Sequence, residues 1–310
     1  MTEFPYLSES DVASLLRYDE LVPAMAQALL DYSAGKVIQP VRQLLAVEPQ
    51  RRYFAAMTAV AADAMGAKLV SFYPANEGSG IPTHLASIML FDPKHGLPLA
   101  CMDGRLITEM RTAATSVAVT RVAARPDSKI LALLGSGVQA LAHLQALRQF
   151  YAFDEVRVWS RNLVHAKAFA EAHGAVATSA KDAVSGADII VTATSASEPI
   201  LRGAWIKPGA HVNAVGAPRP DWRELDDEAM KGTLIVDCRI AALAESGDVI
   251  QSRAPIHAEA GELLAGTKVV DPFQTTIFKS VGIAVEDIAA AKLVFTRYLA
   301  KGDVGRTTNK

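Results

Sequence analysis

A Gly-x-Gly-x-x-Ala turn, Gly135-Ser136-Gly137-Val138-Gln139-Ala140, joins the apolar run Ile130-Leu131-Ala132-Leu133-Leu134 to a helical stretch at 141–147. Each position has a physical task. Gly135 permits a tight turn, Gly137 lets the backbone approach a pyrophosphate, and Ala140 lets the helix pack closely on the strand. The first-turn N–H groups of that helix and the positive end of its dipole then face the phosphates. A second strand, Glu155-Val156-Arg157-Val158-Trp159, completes the context, and the turn reads as a dinucleotide site. In an NAD site an Asp or Glu, about 20 residues beyond the glycines, accepts from the ribose 2′-hydroxyl. Here that place reads Trp159-Ser160-Arg161-Asn162. No carboxylate stands there to repel a 2′-phosphate, while Ser160, Arg161 and Asn162 offer donors and Arg161 a charge, so NADPH is expected in preference to NADH.

The elements around this turn change rhythm along the chain. An amphipathic helix is expected over 19–34, with Leu21, Val22, Met25, Leu29 and Tyr32 on one stripe ending at Gly35. Short β-rich runs follow at 41–47, 53–60, 68–73, 84–91 and 97–102, with no helix between them, which implies an antiparallel or mixed sheet. Residues 111–124 read as a helix ending at Arg125-Pro126. Beyond it strand and helix alternate, the signature of a parallel, doubly wound sheet. A last amphipathic helix covers 286–299. The fold class expected is therefore α/β, with the change of rhythm near residue 112.

Composition limits the function. The 310 residues are 50% hydrophobic, enough for a large core, and a net charge of −2 leaves no electrostatic footprint for nucleic acid or an anionic membrane. The beginning of the sequence lacks a basic-then-apolar signal pattern, and no uncharged apolar run is long enough to span a bilayer, so a cytoplasmic enzyme of small-molecule chemistry is expected. Cys101 and Cys238 lie in separate strand-like segments and read as buried small hydrophobes. The seven histidines form no H-x-x-x-H or Cys/His cluster, so no metal site is expected.

Pro40-Val41-Arg42, Gly66-Ala67-Lys68, Thr108-Glu109-Met110-Arg111-Thr112-Ala113-Ala114 and Phe278-Lys279-Ser280-Val281-Gly282 occur in order around the glycine turn. With them the chain resembles, over nearly its whole length, the ornithine cyclodeaminase/mu-crystallin family. The resemblance implies a Rossmann-type domain over 113–286 and a split α+β substrate-binding and dimerisation domain made of 1–112 and 287–310, hence a homodimer. Family members act by hydride transfer at a carbon bearing nitrogen and a carboxylate.

The resemblance also carries residue roles. Arg42 and Arg111 match the arginines that hold the substrate carboxylate, a task suited to a planar guanidinium. Arg111 is expected in the first turn of its helix, where backbone N–H groups would share the anion. Lys68 matches the active-site lysine; it either donates to the carboxylate or relays a proton to the imine nitrogen, and burial would lower its pKa. His84, after a glycine-rich loop, is a candidate proton donor. Thr112 is counted with the cofactor residues, and Val281 matches a position near the nicotinamide. From their places at carboxyl ends of strands, Thr192, Thr194 and Val215 are expected to contact cofactor.

Where the deaminases of the family carry an acidic residue for the substrate's distal amine, an ungapped reading puts Pro218, which cannot ionise. A one-gap reading brings Asp221 there instead. The reaction expected is NADPH-dependent reduction of a cyclic ketimine, Δ1-pyrroline-2-carboxylate or Δ1-piperideine-2-carboxylate, to L-proline or L-pipecolate. Ornithine cyclodeamination, alanine-type dehydrogenation, and an NADPH-binding crystallin-like protein with little catalysis are the alternatives.

Overall fold

The computed structural model describes residues 4–48, 52–76 and 78–307, with side chains as far as residue 301. These fall into two compact units, one running up to Arg111 and resuming at Ile283, the other spanning Thr112–Gly282.

The first unit opens with β1 (Tyr6–Leu7), α1 (Glu9–Leu15) and α2 (Tyr18–Ser33). Ser8 caps α1 in a capping box with Asp11, each satisfying the other's backbone N–H. Then come β2 (Gln43–Glu48), β3 (Arg52–Val60), β4 (Met65–Phe72), β5 (His84–Phe91), β6 (Pro98–Asp103) and the beginning of α3 (Arg105–Ala123). The sheet order is β1-β6-β5-β4-β3-β2, antiparallel throughout except that β1 runs parallel to β6. Strand alternation sorts its side chains. Tyr53, Ala55, Met57, Val70, Ile88 and Met102 are buried on one face, and in register with them the same alternation buries Lys68 between Met57 and Ile88. The last helix, α10 (Ala284–Thr307), closes that face against Gly66, where a Cβ would lie 2.9 Å from Ile288 Cδ1 and 2.4 Å from Met89 O. On the opposite face Phe54, Leu69, Leu85 and Met89 stay exposed, and Cys101, expected to be buried, is half-buried there beside Met89.

The second unit continues α3 and alternates β7 (Ile130–Leu134), α4 (Val138–Leu147), β8 (Glu155–Trp159), α5 (Leu163–His173), β9 (Val176–Ala177), α6 (Ala180–Val184), β10 (Ile189–Thr192) and β11 (His211–Ala214). It ends with β12 (Thr233–Val236), α7 (Arg239–Glu245), α8 (Gly247–Ser252), β13 (Ile256–Glu259), α9 (Ala260–Leu264) and β14 (Thr276–Lys279). All neighbours in the order β13-β12-β14-β11-β10-β7-β8-β9 are parallel. The strand that carries the glycine turn sits between β8 and β10, so the order reverses beside it, which makes its carboxyl end the switch point of a doubly wound sheet. Central strands are buried on both faces, hence the continuous apolar runs. No helix of the described residues is long and apolar enough to cross a membrane.

Candidate active site

Lys68 is the largest fully buried side chain of the first unit, 1% exposed. A lone buried ammonium would be prohibitive, and its partner comes from the first turn of α10: Lys68 Nζ lies 2.7 Å from Asp287 Oδ2. The other oxygen of Asp287 accepts from Arg111 Nε at 2.9 Å, while Arg111 Nη1 donates to Glu286 Oε2 at 2.5 Å. Lys68 also donates to Thr108 Oγ1 at 3.5 Å. Two cations thus face two carboxylates in an enclosure built by β4, α3 and α10. The third guanidinium nitrogen of Arg111, Nη2, has no partner among the described residues.

Electrostatics set the protonation states. Burial, with the Arg111 and Arg42 charges adding to it, pulls Lys68 down to about 8 although Asp287 opposes. Burial pushes the Asp287 carboxyl up, yet the Arg111 and Lys68 cations prevail and hold it below the usual range. His84 opens β5 on the same face as Lys68. Burial first, then the positive charges of Lys68 and Arg111, pull it down to about 4, so it is neutral at pH 7. Arg42 lies near enough for its charge to lower both Lys68 and His84.

One sequence expectation needs correcting. α3 begins at Arg105, where Asp103 Oδ1 accepts from the Arg105 N–H at 2.9 Å, so Arg111 sits well beyond the first turn of its own helix. The carboxylates of α10 occupy its Nε and Nη1 instead. Adjacent Glu286 and Asp287 at the start of a helix whose next residues, Ile288, Ala290 and Ala291, are all buried were the signal that sequence reasoning passed over.

In the second unit the glycine turn fits a pyrophosphate. Gly135 has φ +129°, and a Cβ there would lie 2.5 Å from Ala193 O, so the position demands glycine for internal reasons. Gly137, the N-cap of the ten-residue α4, is different: a Cβ there would meet nothing within 4 Å, and no side chain caps the helix. Open space thus lies over an uncapped, positive helix end, with Ser136 half-buried and Val138 and Gln139 in its first turn. Ala140 is fully buried against the sheet.

After β8, Ser160 is half-buried. Arg161 is exposed and makes no ion pair among the described residues, and Asn162 Oδ1 accepts from Val164 N as the N-cap of α5, leaving its amide nitrogen as donor. Thr112 and Val281 are buried and Val215 is half-buried.

The two threonines behave otherwise than expected. Thr192 Oγ1 donates to Glu224 Oε2 at 2.7 Å, and Thr194 donates through both N and Oγ1 to Glu224 Oε1, at 2.7 and 2.6 Å. Their hydroxyls are therefore turned to a buried carboxylate. Burial pushes the Glu224 carboxyl up, against the pull of Lys279. Asp221, the one-gap candidate, is exposed and paired with Arg219 at 3.3 Å. Sequence reasoning missed Glu224, Lys279 with Asp248 2.9 Å from its Nζ, and Asp237, whose Oδ2 accepts from Ser280 Oγ and the N–H groups of Val281 and Gly282. A lysine following Ile277-Phe278 in a buried strand was the readable sign, because such a charge needs an acidic partner.

The sequence model of the ornithine cyclodeaminase/mu-crystallin family matches residues 5–302. The ketimine reductase mu-crystallin of Mus musculus is 48% identical over 300 residues, covering 94% of this chain and 96% of that protein. Among solved structures, the Δ1-pyrroline-2-carboxylate reductase of Thermococcus litoralis, in complex with NADH and L-proline, superposes with TM-score 0.90 at 39% identity, covering 96% of this chain and 98% of its own. An archaeal alanine dehydrogenase dimer with bound NAD also gives TM-score 0.90, at 32% identity, over 96% of this chain and 97% of that one.

Proposed function

The chain belongs to the ornithine cyclodeaminase/mu-crystallin family, and from that premise we propose that it is an NADPH-dependent reductase of cyclic ketimines. The substrates proposed are Δ1-pyrroline-2-carboxylate or Δ1-piperideine-2-carboxylate, and the products L-proline or L-pipecolate. The observation that carries the reading is the buried set Lys68, Arg111, Asp287 and Glu286 with Arg42 and a neutral His84 beside it. The two carboxylates neutralise Lys68 and Arg111, and Arg42 adds a further positive charge, which suits an anionic substrate.

The cofactor supplies the hydride for the imine carbon. The chain's own residues do the rest. Gly135, Gly137 and the first turn of α4 take the pyrophosphate, and Ser160, Arg161 and Asn162 take the 2′-phosphate. Arg42 and the remaining donors of Arg111 hold the substrate carboxylate. Lys68, with a pKa of about 8, carries a proton near neutral pH that Nζ can give to the imine nitrogen, while His84, neutral at that pH, is a hydrogen-bond partner and no acid. NADPH oxidation across five- and six-membered cyclic imines tests the proposal; substrate-independent NADPH binding with no turnover on any of them would refute it.

Three outcomes follow from particular residues. Arg161→Ala weakens NADPH far more than NADH, since a charged hydrogen-bond partner is worth about 1.5–3 kcal/mol. Equal losses in titrations with the two cofactors would reject the assignment.

The second outcome concerns pH. As Lys68 loses its proton above about pH 8, kcat/KM falls, and Lys68→Met removes that limb of the profile. For stability the sign is opposite. Lys68 titrates lower in the fold than in the unfolded chain, so the folded state binds fewer protons between about 8 and the ordinary lysine value of 10.5, and stability from this group rises with pH across that window. His84 contributes stability that is present above its ordinary value of 6.5 and lost as pH falls through that value towards about 4.

The third is assembly. Phe54, Leu69, Leu85 and Met89 form an apolar sheet face, and we assign it to a homodimer interface. Analytical ultracentrifugation is expected to show a dimer that Leu69→Asp dissociates; a monomeric parent protein at micromolar concentration would reject the assignment.

A further inference from the structure

The peptide of Gly216, just beyond β11, is gripped at both ends by buried charge. Its N–H donates to Glu224 Oε2 at 2.9 Å, and its carbonyl accepts from Lys279 Nζ at 2.6 Å. There is no room for a side chain: a Cβ would lie 2.3 Å from Thr194 O and 2.5 Å from Glu224 Oε1. The next residue, Ala217, has φ +51°, a left-handed conformation that alanine rarely adopts, and its N–H donates to Thr194 O at 3.0 Å. Glu224 also takes the Thr192 hydroxyl and both donors of Thr194. Lys279 Nζ lies 2.9 Å from Asp248 Oδ2, and Asp248 Oδ1 accepts from the backbone N–H groups of Glu224 and Leu225 at 2.8 and 2.9 Å.

Glu224, Lys279 and Asp248 are all fully buried, so none touches a ligand. Burying three charges opposes folding, and a backbone outlier persists only where its surroundings over-determine it. Packing alone would need neither. What the three residues act on is the edge made by residues 192–194 and 215–217, at the carboxyl ends of β10 and β11. The glycine turn follows β7, which lies between β10 and β8, with β9 beyond β8. Strands β10 and β11 lie across the switch point, in the half of a doubly wound sheet that receives the second mononucleotide.

We infer that Glu224 and Lys279 are positioning residues that clamp Gly216 and so shape the edge receiving the nicotinamide half of the cofactor. The inference rests on the cofactor reading above. It separates two parts of one ligand, since adenosine 2′,5′-bisphosphate has no nicotinamide half and needs only the glycine turn and residues 160–162.

Titrating Lys279→Met with NADPH and, separately, with adenosine 2′,5′-bisphosphate is expected to raise the Kd for NADPH by about tenfold or more, as loss of a charge-assisted hydrogen bond would. The Kd for the bisphosphate should stay near that of the parent protein. Thr192→Val, which removes one donor to Glu224 from a side chain that is itself fully buried, gives the same selectivity at smaller size and remains readable should Lys279→Met not fold. Equal weakening of both ligands, or no weakening of NADPH in either variant, overturns the inference. A parent protein that binds both ligands but reduces no cyclic imine would overturn the proposed reaction and leave this comparison standing; one that binds neither would overturn both.

Discussion

Arg111→Lys is expected to lower kcat/KM on the best cyclic imine by about a hundredfold, roughly 2.7 kcal/mol of transition-state stabilisation, and to lower thermal stability with it. The guanidinium spans two carboxylates from one side chain, Nε to Asp287 and Nη1 to Glu286, and only then presents Nη2. A lysine ammonium is compact and cannot make that span, so one of two fully buried carboxylates loses its contact with residue 111. Removing one member of a buried ion pair typically costs about 3–5 kcal/mol. Asp287 would then hold Lys68 less well, which compounds the loss of alignment at the substrate carboxylate. NADPH affinity should change much less.

Steady-state kinetics, an NADPH titration and a thermal melt on the same preparation separate the effects. Parent kcat/KM in the variant, or equal loss of NADPH and substrate affinity, would make Arg111 a structural or cofactor residue. Activity reduced only in proportion to the unfolded fraction would confine it to stability.

Gly135→Ala should abolish measurable NADPH binding, with an affinity loss of about a hundredfold or more, while Gly137→Ala weakens NADPH but leaves the melting temperature near that of the parent protein. The two glycines are two residues apart and differ in physical necessity. At Gly135 φ is +129° and the new methyl would stand 2.5 Å from Ala193 O, so the strand end and turn must shift. Strain in such a sparsely populated region is of order 1–3 kcal/mol before the clash is counted. At Gly137 φ is −90°, which alanine adopts freely, and the methyl would enter open space above the end of α4. That space is where the pyrophosphate is proposed to lie. NADPH titration and melts of both variants test the pair. Gly137→Ala binding NADPH as the parent does would remove the phosphates from this turn.

Much of the fold was readable from local pattern. The strand over 84–91 coincides with β5, because alternation is a property of contiguous sequence. The glycine turn is likewise local: a strand, two glycines and a helix lie within about twenty residues, and their chemistry needs nothing from elsewhere in the chain. Expected boundaries erred where the local signal was weak. The helix expected from 111 begins at Arg105, where Leu106 favours helix and Ile107 favours strand, so the local signals conflict. The strand β14 and helices α7 to α9 were not read at all.

What the sequence by itself determined about this protein was its α/β class, its family and the residue types that bear charge: Arg42, Lys68, Arg111 and the Ser160-Arg161-Asn162 turn. Only the tertiary structure decided what those charges face. Asp287 lies 219 positions beyond Lys68 and 176 beyond Arg111, and Glu224 reaches Thr192 across 32. The physical reason is burial. An exposed lysine or glutamate needs no partner, but one taken out of water must find its counter-charge or donor wherever the fold brings it, and sequence distance says nothing of that place. The same necessity turned Thr192 and Thr194 inward to Glu224, and it left Arg161, which stays in water, unpaired among the described residues.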